Sequence, residues 1–157
     1  MSRAQIEAKA DFLGVKICHH RESGRMKVAG LFHRLRRNPH FANTTYVTMH
    51  PWIFIPDPVA DPFDDWKIID HELVHWVRQR ELGVYKWVWH YLTDMRFRAR
   101  EEQHAFLRDI KNGRLSISQA VRRLQRPPYD CDINGEELEE WWRRRLSVRV
   151  PRRPSEE

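Results

Sequence analysis

Apolar positions at helical spacing open the chain. Ile6, Ala10, Leu13 and Ile17 recur three and four residues apart and predict a helix, with Gly14 as its weak point. Ser23-Gly24 reads as a break. Val28, Leu31, Phe32 and Leu35 predict a second amphipathic helix, stopped before Asn38-Pro39. The period then changes. Thr45-Tyr46-Val47-Thr48-Met49 and Trp52-Ile53-Phe54-Ile55 are rich in β-branched and aromatic residues, and His50-Pro51 separates them. They predict a short strand pair or one bent strand, ended by Pro56-Asp57-Pro58 and followed by a loop over 59–63.

Asp64 or Asp65 can cap the next helix, which runs to about residue 82, with Gly83 placed as its C′ residue. At about 100° per residue, Trp66, Ile69, Leu73, Trp76 and Val77 share one stripe, and His71 and His75 fall on the far side. Residues 84–91 are unusually aromatic and predict a strand, or an irregular segment packed beside a cleft. A helix over 93–111 follows, closed by Asn112-Gly113. Ser116 or Ser118 opens another through Ala120, Val121 and Leu124, and Pro127-Pro128 ends it. The last helix covers 135–146, with Trp141 and Trp142 as its anchors. With no internal repeat and no linker, the pattern predicts one α+β domain over 1–147, mostly helical with a small β-sheet. Residues 148–157 read as a basic, extended tail, with disorder expected.

The chemistry concentrates in His71-Glu72-Leu73-Val74-His75, an H-E-x-x-H string. On a helix the two histidines lie one turn apart on one face, so both imidazoles can reach one Zn²⁺. The glutamate between them can reach a water on that metal and act as general base. A zinc hydrolase site needs a third protein ligand, and Arg100-Glu101-Glu102-Gln103-His104-Ala105-Phe106 is the place to look. Ala99, Phe106, Leu107 and Ile110 mark the buried direction of that helix. By the same count Glu102 lies roughly 70° from the centre of the stripe and Glu101 roughly 170° away. Glu102 is therefore the chosen ligand, at the inward margin, and Glu101 is expected to face solvent. The alternative for Glu102 is an ion pair with an arginine such as Arg98. Tyr85, His90, Tyr91, Arg98 and His104 are all open as oxyanion stabilisers, and nothing in the sequence selects among them.

Composition narrows the field. A hydrophobic fraction of 41% with 7 Trp suits a folded body, and no stretch approaches the 18 or so apolar residues of a spanning helix. Met1-Ser2-Arg3-Ala4-Gln5-Ile6-Glu7 has no apolar core of a secretory signal, so none is expected. Only 2 Cys are present, Cys18 and Cys131, and free thiols are the expectation. Cys18-His19-His20 is a poor ligand cluster, because adjacent residues point in different directions. A net charge of +6, carried mostly by arginine, could meet nucleic acid or an acidic partner. Acidic runs interrupt the basic ones and no nucleic-acid motif is present, so a solvated basic face is the reading.

From residue 45 through His75 to Ala105, about 60 residues, the chain resembles the gluzincin branch of the zincin metallopeptidases. The string from His71 to Gln79 with Leu82-Gly83 also looks like small zincin-like proteins of bacteria and their phages. Glu102-Gln103-His104-Ala105 matches the loose E-x-x-A form of the later motif, and the H-x-x-G-x-x-H extension of metzincins is absent. The resemblance implies a zincin-type active-site helix, one zinc held by His71, His75 and Glu102, and Glu72 as base. It also implies an edge strand within residues 47–55 that pairs with an extended substrate. The expectation is a zinc metallopeptidase acting on a protein or peptide, inside the cell or carried in a phage particle. The alternative is a zincin-fold structural or interaction protein, such as a virion component with assembly partners, that keeps the metal site without turnover.

Overall fold

The computed structural model describes residues 1–22, 45–126, 129, 131 and 134–147. The break at Ser23-Gly24, the helix predicted over residues 28–35 and the tail 148–157 lie outside the described residues.

Helix α1 (Arg3–Leu13) starts at a reciprocal cap: the Gln5 N–H donates to Ser2 Oγ, and the Ser2 N–H to Gln5 Oε1. It ends at Gly14, whose φ of +70° closes the helix in the left-handed region. The helical spacing from Ile6 predicts a helix reaching Ile17. Instead Ile17 lies in a strand, β1 (Lys16–His19), because the glycine cap stops the helix first. A short 3₁₀ turn (His20–Glu22) follows.

β2 (Val47–Met49) and β3 (Trp52–Ile55) are the predicted strand pair, antiparallel and joined at a cis His50–Pro51 bond. β3 is the central strand, with β1 parallel on its other side, giving the order β1-β3-β2. Ile53 and Ile55 point into a core shared with Ile6 and Ala10 of α1.

Helix α2 (Trp66–Leu82) closes that core with Ile69, Leu73 and Trp76. Asp65 stands at its N-cap but makes no side-chain capping bond. Its far side is not solvated: Asp70, His71, Glu72, His75 and Gln79 are all buried. A helix buried on both sides with polar residues on one of them must satisfy those residues internally.

Helix α3 (Val84–Thr93) replaces the strand or irregular segment expected there. Gly83, at φ +84°, lets the chain turn directly out of α2. Trp87 and Tyr91 then stack one turn apart, with ring centroids 4.6 Å apart and planes 16° from parallel. Their burial against α2 and α4 outweighs the β propensity of Val, Tyr and Trp. Helix α4 (Met95–Lys111) is capped by Asp94, which accepts from the N–H groups of Arg96 and Phe97. Helix α5 (Ile117–Leu124) carries a capping box between Ser116 and Gln119, and α6 (Gly135–Ser147) completes the described chain.

Phe106 of α4, Leu124 of α5, and Leu138 and Trp142 of α6 form a second core. The Trp142 indole N–H donates to the Gln103 carbonyl at 3.0 Å and ties α6 to α4, while Trp141 is only half-buried. The molecule is thus an α+β fold, mostly helical around a three-stranded sheet. The α2–α4 interface lies between a sheet-side core and a helical one. Among the described residues no helix is long and apolar enough to cross a membrane.

Candidate metal centre

The polar side of α2 meets α4 along one seam. Four-residue spacing puts His71 and His75 on adjacent turns, with ring centroids 5.2 Å apart. Both turn Nε2 toward Glu102 of α4. His71 Nε2 lies 3.6 Å from Glu102 Oε2, and His75 Nε2 lies 3.4 Å from Glu102 Oε1. One donor atom from each residue lies within 4.8 Å of the other two, and all three residues are buried. This is the one such group of three among the described residues, and it could hold a metal ion.

The donor set fits a cation. Glu102 Oε2 and His75 Nδ1 are buried without a hydrogen-bond partner, a costly state for polar atoms that ligation of Oε2 would relieve. Burial alone would keep His71 neutral, but the carboxylates of Asp109 and Glu102 outweigh it and hold its pKa up to about 10. Burial would likewise raise Glu102, yet His75 and His71 hold it well below the usual carboxylate range. Without metal, the protonated imidazole supplies the positive charge that this cluster is built around.

Asp109 was not visible as a site residue in the sequence. The His71 Nδ1–H donates to Asp109 Oδ2 at 2.9 Å, which leaves Nε2 facing the donor cluster. Arg114 Nη1 donates to the other oxygen, Oδ1, at 2.8 Å. A signal existed: Asp109 is seven residues after Glu102, almost directly above it on the helix. Tyr129 was missed as well. Burial, then the charges of Glu102 and Glu72, push its hydroxyl well above the usual tyrosine range, and no motif points to it. Asp70, fully buried beside His71, is held by Lys9 Nζ at 3.1 Å and Asn112 Nδ2 at 2.9 Å and has no part in the donor set.

Glu72, the expected base, is buried next to the cluster. Its Oε2 accepts from the Thr48 hydroxyl at 2.7 Å, which links it to β2. Gln79, two turns on, also reaches β2. Its amide donates to the Thr48 carbonyl at 2.9 Å, and its oxygen accepts from the His50 N–H at 2.8 Å. The expected edge strand over 47–55 is β2, at the margin of the sheet, whereas β3 is internal. Beside β2 the Gln79 amide takes the Thr48 carbonyl and the N–H of His50, the residue that follows the strand.

Glu101 is also corrected. It is 2% exposed, not solvent-facing. Arg78 Nη2 donates to its Oε1 at 3.0 Å and the Trp87 indole N–H to its Oε2 at 3.0 Å. The angular count placed solvent opposite the apolar stripe, where α2 and α3 in fact pack. Arg98 makes no ion pair with Glu102; its Nε donates to the Tyr91 carbonyl at 2.8 Å. Of the open oxyanion candidates, only Tyr91 enters the cluster, its hydroxyl donating to Glu102 Oε1. Tyr85 is 92% exposed, His90 packs on Phe97 and His104 on Trp141. Among the described residues neither Cys18 nor Cys131 is joined in a disulfide.

Comparison of the chain with protein-family models, with curated proteins and with solved structures finds no match.

Proposed function

We propose that the chain is a zinc-dependent metallopeptidase of the zincin type, with His71, His75 and Glu102 as ligands and Glu72 as general base. The observation that carries this reading is the buried convergence of two Nε2 atoms and one unpartnered carboxylate oxygen beside Glu72. Two histidines and a carboxylate form a catalytic rather than a closed structural donor set, since structural zinc sites fill four positions with Cys and His. Bound zinc would supply Lewis acidity toward a carbonyl and bring the pKa of a water toward neutrality. The chain's own residues do the rest. Asp109 holds His71 in the ligating tautomer, and Thr48 holds the Glu72 carboxylate at the sheet. From there Glu72 takes a proton from the attacking water and returns it to the leaving amine. A peptide or protein is the substrate class.

A second reading keeps the metal without turnover, as in a structural or interaction protein. Two observations favour it. Glu72, His71 and His75 are all buried, which restricts access for a peptide, and α3 shows solvent an apolar strip of Tyr85, Trp89 and Leu92. The test is metal content and hydrolysis of a peptide library by wild type, Glu72→Gln and His75→Ala. The peptidase reading expects zinc in the wild type, cleavage lost with zinc retained in Glu72→Gln, and both lost in His75→Ala. Zinc-loaded wild type that cleaves nothing would sink it in favour of the second reading.

A further inference from the structure

We propose that Tyr91 is a positioning residue that commits Glu102 to the metal through one oxygen, and that Glu101 holds Tyr91 in place through Trp87. This rests on the metal-centre reading above and goes beyond it by assigning the way one ligand binds.

The two oxygens of Glu102 are not equivalent. Oε1 accepts the Tyr91 hydroxyl. Oε2 is buried with no hydrogen-bond partner and lies on the His71 side of the cluster. A carboxylate with one oxygen engaged by a buried hydroxyl offers the other as a single ligand. Oε1 also lies 3.4 Å from His75 Nε2, so bidentate binding would make it share its lone pairs between the metal and the Tyr91 hydroxyl, weakening both, and would occupy a further coordination position, one that a catalytic site keeps open.

Tyr91 is itself fixed on several sides. Its ring stacks on Trp87. The Trp87 indole N–H donates to Glu101 Oε2, and Arg78 Nε and Nη2 donate to the same carboxylate. Arg98 Nε binds the Tyr91 carbonyl, and its guanidinium lies 5.4 Å from the ring centroid. Trp87 also meets His75 edge-on, with ring centroids 5.6 Å apart. The buried Glu101 carboxylate thus joins α2, α3 and α4 at the point from which the hydroxyl is aimed. Adjacent carboxylates have separate tasks: Glu102 supplies a donor, and Glu101 fixes the helix that orients it.

The experiment loads the full chain with cobalt(II) and records the visible absorption spectrum. Zinc affinity is measured in parallel by competition with a chelator. Tyr91→Phe removes one oxygen and keeps the stacked ring. It is expected to weaken the cobalt bands, as a higher coordination number does, and to lower zinc affinity about 10- to 100-fold. Glu101→Gln is expected to move both readouts the same way by less, and Trp87→Phe serves in its place if that variant does not fold. Trp89→Phe, on the exposed side of α3, is expected to leave both unchanged. Tyr91→Phe with the spectrum and affinity of wild type would overturn the inference while leaving the metal centre intact. An equal change in Trp89→Phe would overturn it too, because the spectrum would then report helix integrity. Wild type that takes up neither metal overturns the metal-centre reading itself.

Discussion

At the scale of single residues, the candidate centre is a set of ligand atoms whose orientations are fixed by neighbours. His71 is the clearest case, with Asp109 on Nδ1 and Arg114 behind Asp109. Asp109→Asn keeps the shape but can present an N–H where an acceptor is needed. Zinc affinity is expected to fall about 10- to 100-fold, read by chelator competition; unchanged affinity would remove Asp109 from the site. The charge on His71 sets a pH dependence. With its pKa held up to about 10, the metal-free residue carries its proton at neutral pH, whereas ligation requires Nε2 bare. Metal uptake at pH 7 is therefore expected to release close to one proton from His71. Affinity should rise with pH up to about 10 and fall as the solution is acidified. Calorimetric titrations in buffers of different ionisation heat check this, and uptake with no proton release would contradict it. The shared side of His71 and His75 is legible in the sequence because four-residue spacing on one helix determines it. The choice of Glu102 over Glu101 is legible in the same way, from angular position on a helix. The burial of Glu101 is not, since it depends on Arg78 and Trp87 arriving from two other helices.

At the scale of elements, helix ends were easier to read than the identity of the aromatic segment. Gly14 and Gly83 sit at positive φ where helices stop, and Ser116 and Asp94 cap where helices begin. Residues 84–91 have no clean period, being apolar on nearly every side, and only packing decides that they form α3. The inner side meets His75 and Glu102 through Trp87 and Tyr91, whereas Tyr85, Trp89 and Leu92 stay exposed. The turn into α3 depends on Gly83, whose φ of +84° is unfavourable for a residue with a Cβ. Gly83→Ala is expected to cost about 1–2 kcal/mol, measured by denaturant unfolding. A loss indistinguishable from zero would show that the turn relaxes without strain.

At the scale of the molecule, the candidate centre lies on the seam between the sheet-side core and the helical core. Its ligands come from both flanking helices, so a bound ion cross-links them. Ligand linkage then predicts stabilisation by about 2.7 kcal/mol when free zinc is a hundredfold above its Kd. Chelation should lower the melting temperature of the zinc-loaded protein, and His75→Ala should abolish the difference. A melting temperature indifferent to chelator in zinc-loaded wild type would show that the ion does not bridge the seam. The two-core arrangement itself was not legible, because periodicity gives the buried side of each helix but not which helices share it.

Gln79 has a consequence for solubility. A three-stranded sheet with β2 at its margin offers main-chain groups that could recruit a strand from another molecule. The Gln79 amide binds the Thr48 carbonyl of β2 and the N–H of His50 just after it, as a neighbouring strand would, and so removes part of that template. Gln79→Leu keeps the bulk but leaves both groups bare. It is expected to cost about 1–3 kcal/mol and to make the protein aggregate with rising concentration, followed by light scattering. A variant that stays monodisperse at wild-type concentrations would show that the margin is guarded by something else.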